Sequence, residues 1–235
     1  MHRLKWAGIV SGLMRYLEVA RRVKTRPEGP QGAHNRSYER NELNEKSERS
    51  PGPPVQVRGL GVAYRLIEDP GRVPEVLERL DGAPAVGVDI ETTGLDPYKA
   101  RVRTLQLAVP GLVYVIDAHR VDLRLLRPVL ESEAFKILCH GKFDLRFLLQ
   151  AGLGVANPFD VMLADQVLRA ARDPRGLAAL AQEYLGESLD KALQRADWSG
   201  ELSSAMLEYA ARDAAVLLPL FAKITDRIKA EGLGR

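Results

Sequence analysis

The stretch Ala85-Val86-Gly87-Val88-Asp89-Ile90-Glu91-Thr92-Thr93-Gly94-Leu95-Asp96-Pro97 makes two opposing demands on one segment. Residues 85–90 form a short apolar run, the pattern of a buried strand. Its end carries two acids. In an extended strand residues i and i+2 project from the same face, ~6.5–7 Å apart along it, so Asp89 and Glu91 stand side by side. Two carboxylates so placed repel one another and lose hydration. A cation between them removes that cost, and oxygen donors without His or Cys partners suit Mg²⁺ or Mn²⁺. The competing account has Asp89 capping the following turn and Glu91 facing solvent. For an isolated pair of acids that account is the stronger.

The flanking sequence predicts what holds this strand. Val62-Ala63-Tyr64-Arg65-Leu66 alternates like a strand. Residues 70–80 have helical spacing, with Asp69 as the cap and Val73, Val76, Leu77 and Leu80 on one face. Residues 103–109 and 112–116 flank Pro110-Gly111 and predict a hairpin. A helix over 123–130 and a short strand over 136–139 follow. From Phe143 the pattern is mostly helical, over 144–151, 161–171, 177–184 and 204–228. No internal repeat is visible. Strands, then alternating elements, then helices predict an α/β fold, a mixed sheet with helices on both faces.

Composition narrows the chemistry. The single cysteine, Cys139, excludes an intramolecular disulfide framework and a Cys-rich zinc site. The four histidines, at 2, 34, 119 and 140, form no cluster. No stretch approaches the ~20 apolar residues that span a bilayer, so no membrane partner is expected. Aromatics make up only 6% of the chain, too few to suggest a broad base-stacking surface. The net charge of +3 hides an asymmetry: residues 1–58 carry +6 and the remainder −3. Residues 1–26 read as a basic amphipathic helix. Trp6, Ile9, Val10, Leu13, Leu17 and Val19 share a face beside Arg15, Arg21 and Arg22. Arg3 and Lys5 ahead of an apolar run also mimic an export signal, but no clear small-residue cleavage site follows. Residues 27–54, poor in apolar side chains, read as a disordered linker. The expected organisation is a basic extension over 1–54 and a folded domain over 55–235. The extension is either a nucleic-acid or docking arm, a targeting segment, a solvated tail or the product of an early start codon. A lone cysteine and the absence of a convincing export signal make a cytoplasmic location the expectation.

Two further constellations contain acids. His140-Gly141-Lys142-Phe143-Asp144 follows the apolar Ile137-Leu138-Cys139 and puts Asp144 in the first turn of a helix, where a carboxylate is favoured. Tyr209-Ala210-Ala211-Arg212-Asp213 puts a phenol and a carboxylate on one helical face, at the edge of an apolar stripe. Each has an ordinary structural explanation when taken alone.

Together, and in this order, Asp89-x-Glu91, Asp144 and Tyr209-x-x-x-Asp213 resemble the three motifs of the four-carboxylate (DEDD) 3′→5′ exonucleases, in their tyrosine-bearing branch. The resemblance runs from about Val62 to Ile228. VDIETTGLDP and HGKFDLRFLLQAG are similar to the first two motifs of DNA polymerase I proofreading domains. LDKALQRADW and YAARDA are similar to those domains and to ribonuclease D.

The resemblance implies a ribonuclease-H-like fold, with Asp89, Glu91, Asp144 and Asp213 holding two divalent cations, Mg²⁺ or Mn²⁺. It implies that Tyr209 orients the attacking water, a task for which a neutral phenol with a pKa near 10 is suited. Leu95 matches an apolar contact for terminal bases. Thr92 is expected to help place the 3′ end, and Lys191 to meet a phosphate. Trp198 is expected to anchor the loop before the last helix, and Asp160 to cap a helix rather than act as a fifth ligand. His140 departs from the polymerase pattern, which has Asn there, and is similar to ribonuclease-D-like members. The implied activity is release of nucleoside 5′-monophosphates from single-stranded 3′ ends, with DNA slightly favoured. The enzyme alternative is an RNA or short-oligonucleotide exonuclease. A non-catalytic nucleic-acid-binding or partner-docking module is the alternative from another class. With no polymerase or further helical domain after residue 235, either a stand-alone nuclease or one serving a polymerase, another replication or repair protein, or an RNA-processing partner is expected.

Overall fold

The computed structural model describes residues 53–171 and 173–233. The helix expected over 1–26, and all but the last two residues of the expected linker, lie outside the described residues. Seven strands form one mixed sheet: β1 (Val55–Val57), β2 (Val62–Ile67), β3 (Ala85–Thr92), β4 (Val102–Val109), β5 (Leu112–Asp117), β6 (Phe135–Leu138) and β7 (Pro158–Asp160). Their spatial order is β1-β2-β5-β4-β3-β6-β7. The α/β class and the mixed sheet are as the sequence predicts. β4 and β5 form the predicted hairpin, closing with Val109 opposite Leu112 and Gly111 at φ +83°.

Seven α-helices flank the sheet: α1 (Val73–Leu80), α2 (Arg127–Leu130), α3 (Gly141–Gln150), α4 (Val161–Leu168), α5 (Leu177–Leu185), α6 (Ser204–Ala215) and α7 (Leu217–Ala230). Val86, Val88 and Ile90 of β3 pack with α1, α2 and α3 on one face. On the other face α6 packs on Ala108, Val113 and Val115, and α7 packs with α4 and α5. Among the described residues no helix is long and apolar enough to cross a membrane.

Several boundaries correct the sequence reading. The expected helix over 204–228 is two helices that meet at Val216. Pro219 explains the break, because its ring cannot donate to the carbonyl of Ala215 and would clash with it. The helix expected to end at 171 stops at Leu168, and Ala170 turns to φ +48°. Residues 70–72 and 123–126 are 3₁₀ turns that lead into α1 and α2. Asp69 caps the first of these through Gly71 N, at 2.9 Å. β1 and β7, three residues each, are too short to leave a periodic signature.

One glycine sets the distance between sheet and helix. A Cβ on Gly87 would lie 3.1 Å from the Ala214 carbonyl oxygen and 3.1 Å from Ala108 Cβ. The α6–α7 junction therefore rests directly on the β3 backbone, two residues before Asp89. Gly87→Ala is expected to cost about 1–3 kcal/mol of stability by overpacking, measured by urea unfolding, and to lift α6 from the sheet.

Candidate active site

Three elements converge at the C-terminal end of β3. β6 pairs with β3 only through Gly87, so the strand runs on past its neighbour, and residues 88–92 keep a single hydrogen-bonded partner strand, β4. Asp89 and Glu91 project from this overhanging segment on the face that carries α6.

Asp144 arrives from α3. His140, at φ 62°, turns the chain from β6 into the helix, and Asp160 fixes that turn. Its two carboxylate oxygens accept from His140 N at 3.2 Å and Gly141 N at 2.8 Å. One oxygen also caps α4 through Met162 N at 2.9 Å and Leu163 N at 3.3 Å. Asp160 thus joins the starts of two helices and serves as a cap, as the sequence predicts.

Asp213 and Tyr209 arrive from α6. The Tyr209 ring lies 6.2 Å from that of Trp198, tilted by 47°. Trp198 is buried with Met206 and Ala210, as expected of a packing anchor. Its loop is pinned from the sheet by Arg103, which is ion-paired with Asp117 and whose Nη2 donates to the Gly200 carbonyl at 3.3 Å. Opposite Glu91 the register slips, so that Thr104 faces Glu91 and Val102 faces Thr92. Arg103 is the extra residue of this bulge, and the bulge re-aims it.

The electrostatics single out the four acids. Burial pushes the Asp89 carboxyl well above the usual range, and Asp144, Glu91 and Asp213 add repulsion; the Ile90 N–H pulls it back. Burial, then Asp213 and Asp144, push Glu91 to about 8. Burial lifts Asp144 to about 7 against the pull of its own N–H, with Asp160 adding to the rise. Burial lifts Asp213 to about 7, against a hydrogen bond from Tyr209 and the charge of Arg212. The Tyr209 phenol is raised by its own burial, then by Asp213 and Glu91. Cys139, raised by burial and by Asp160, Asp89, Asp144 and Asp213, is an inert thiol beside the cluster.

Among the described residues no Lys, Arg or His is ion-paired with any of the four. Asp144 is buried, whereas Asp89, Glu91, Asp213 and Tyr209 are half-buried and reachable from solvent. The donor set fits divalent cations: oxygen ligands only, desolvated, and short of positive charge. With like charges facing one another the acids do not close into a ready cage, and no group of three such side chains is drawn together as one among the described residues.

The other expected site residues are less uniform. Leu95 is 85% exposed rather than packed. The Thr92 hydroxyl donates to the Gly94 carbonyl at 2.7 Å, so it shapes the loop that presents Leu95. His140 is exposed, and its backbone rather than its ring has the structural task. Lys191 is exposed and makes no hydrogen bond or ion pair with the cluster. Sequence reasoning passed over Thr104, Gln106 and Arg103. The signal was present as polar residues within a strand whose eight residues are all buried. It also passed over Tyr98, 79% exposed on the same loop as Leu95.

The arrangement is an α/β sheet that receives acids from an inner strand and two helices. Residues 64–229 match the model of the 3′-5′ exonuclease family, and the chain belongs to that family. It is 35% identical over 157 residues to DNA polymerase I of Aquifex aeolicus, covering 66% of this chain and 26% of the polymerase. Among solved structures, it is similar to Escherichia coli RNase D, an exoribonuclease involved in structured RNA processing. That match has a TM-score of 0.66 and 27% identity, and covers 72% of this chain and 46% of the other. It is also similar to Brucella melitensis NrnC bound to pGG, with a TM-score of 0.61 and 31% identity, covering 72% of this chain and 81% of that one. NrnC is also known with bound Mg²⁺. The chain thus spans less than half the length of the polymerase and of RNase D, but most of NrnC.

The raised carboxyls predict an unusual stability profile. In the unfolded chain these acids lose their protons near pH ~4. In the folded chain burial pushes Glu91 up to about 8 and Asp144 and Asp213 up to about 7, and Asp89 is raised in the same direction. Between those limits the folded state binds more protons, so stability falls as pH rises. Thermal melts in EDTA are expected to drop from pH 5 to pH 8. Mn²⁺ should restore stability more at pH 8 than at pH 5, and Asp213→Asn should flatten the EDTA profile.

Proposed function

We propose that this chain is a metal-dependent 3′→5′ exonuclease that hydrolyses phosphodiester bonds at the 3′ end of nucleic acid and releases nucleoside 5′-monophosphates. The observation that carries this reading is the approach of four carboxyls from β3, α3 and α6, each raised by burial and none ion-paired with a cation among the described residues, with Tyr209 close to Asp213, Glu91 and Asp89. Asp89, Glu91, Asp144 and Asp213 would hold two divalent cations. Such ions lower the pKa of an attacking water and neutralise the leaving 3′ oxygen.

The protein's own groups supply the geometry. Tyr209 keeps its proton at neutral pH, because burial and the neighbouring acids oppose phenolate formation. It therefore orients a water through its hydroxyl rather than removing a proton from it. The Trp198 ring holds the phenol from behind. Leu95 offers an apolar surface to the terminal bases, on a loop shaped by Thr92. We assign His140 and Lys191, both exposed, as outer contacts for the strand, Lys191 toward a phosphate.

DNA is the leading substrate, on the likeness to the polymerase. RNA or short oligonucleotides are the second reading, which the NrnC–pGG match at 81% of that chain favours. A 5′-labelled single-stranded DNA and its RNA counterpart, incubated with Mg²⁺, Mn²⁺ or EDTA, decide the matter. A metal-dependent ladder that shortens from the 3′ end is expected, and it should be absent in Asp89→Ala/Glu91→Ala. A tenfold preference for RNA would reverse the choice of substrate. Binding without cleavage of either strand would make the chain a docking module.

Tyr209→Phe is expected to lower turnover about tenfold, the loss of one positioning hydrogen bond worth ~1.4 kcal/mol, without abolishing Mn²⁺ binding. Wild-type turnover in that variant would remove Tyr209 from the mechanism.

A further inference from the structure

Two polar side chains beside the acids have no task in the reading above. Gln106 and Thr104 are completely buried on β4, directly opposite Asp89 and Glu91 in the antiparallel register. Opposed residues of such a pair project from the same face, with Cβ atoms ~4.5–5.5 Å apart. Gln106 therefore stands beside Asp89 under the cover of α6. Its Nε2 donates to Thr104 Oγ1 at 2.6 Å, while its Oε1 is buried without a hydrogen-bond partner. A buried amide with one orphaned end is a costly choice for a core position that an apolar side chain could fill.

Asp89 resolves the discrepancy. A half-turn about χ3 exchanges the two amide ends. Oε1 then accepts the Thr104 hydroxyl proton, and Nε2 is left for its register partner Asp89, whose carboxylate, once a bound cation has displaced its proton, is an acceptor only. All three groups are satisfied by that arrangement and by no apolar substitute.

We propose that Gln106 is a positioning residue for Asp89: held by Thr104, its amide donates to the Asp89 carboxylate and fixes which oxygen is left to meet a cation. Partners of this kind orient ligating carboxylates in metal sites generally. The inference rests on the reading of the four acids as cation ligands, and it adds a residue from β4, a strand that supplies none of them.

The test is a calorimetric titration of Mn²⁺ into the full chain, for wild type, Gln106→Met, Asp89→Ala and the double variant. Gln106→Met keeps the volume and removes the donor. It is expected to weaken Mn²⁺ binding about tenfold. In the Asp89→Ala background the same substitution is expected to have no further effect, because its target is gone. Thr104→Val frees the amide and should weaken Mn²⁺ binding in the same direction, without adding to the effect of Gln106→Met. It carries the test if Gln106→Met does not fold. Equal Mn²⁺ affinity in wild type and Gln106→Met, or an undiminished loss in the Asp89→Ala background, overturns the positioning role alone. A wild-type chain that takes up no Mn²⁺ overturns the cation reading, and this inference with it.

Discussion

Repulsion among four carboxylates is the constraint to which the rest of the domain answers. Asp89, Glu91, Asp144 and Asp213 come from one strand and two helices to the same end of the sheet, none is ion-paired with a cation among the described residues, and each is raised by burial first. Left to themselves, such groups would move apart or pull in water. They are kept in place by backbone that has little freedom to move. β3 is held by β4 along most of its length and by β6 at its base. Asp144 sits one turn into a helix whose start is tied to Asp160 through two backbone N–H groups. Asp213 sits on a helix that rests on the sheet at Gly87, where no Cβ intervenes. The unfavourable electrostatics are thus offset by structure made elsewhere, as is usual where a site is prepared for charge that arrives later.

The same reasoning separates the rigid parts of the site from its reachable parts. Asp144 is buried, and the three other acids and Tyr209 are only half-covered. Tyr209 is the most exposed to displacement, since it lies at the edge of its helix stripe. Its support runs in series, from the Arg103–Asp117 ion pair to the Gly200 carbonyl, then to Trp198 and to the phenol ring. A bulge in β4 makes this series possible, because it adds Arg103 to a register that otherwise alternates.

Much of this was legible in the sequence. The strand of Asp89 and Glu91, the hairpin at Pro110-Gly111 and the cap at Asp160 follow from local pattern, because each is set by neighbours within a few residues, whereas the acids were singled out as a set only by the order of their motifs and the family they resemble. What escaped is what depends on partners distant in the chain. The break at Val216 needed the weight of Pro219 against a long apolar periodicity, and the periodicity obscured it. β7 is three residues long and exists because β6 offers an edge. Thr104 and Gln106 read as ordinary polar interruptions of a strand, since only the pairing of β3 with β4 places them beside Asp89 and Glu91. A side chain's position along its own strand is local information; the residue it faces across the sheet is not.

The division between shared chemistry and variable recognition follows from where the acids are rooted. Carboxylates on a strand, in the first turn of one helix and in the last turn of another would act, on the proposed reading, on the phosphodiester, which is the same in DNA and RNA, so they do not choose between sugars. Choice belongs to what surrounds the terminal nucleotides. On the proposed reading that is the loop leaving β3 after Thr92, tied at its base by Thr93 and Arg101 through backbone and hydroxyl contacts of 3.0 Å. It is turned in the middle by Asp96, which accepts from Tyr98 N at 3.0 Å. The loop is ordered yet holds Leu95 and Tyr98 out to water. A single exposed apolar side chain needs no explanation. Two on one braced loop, rooted on the strand that carries two of the acids, form an apolar surface beside the site. A site rooted in the sheet and two helices can keep its geometry when such a loop changes, because the loop carries none of the four acids.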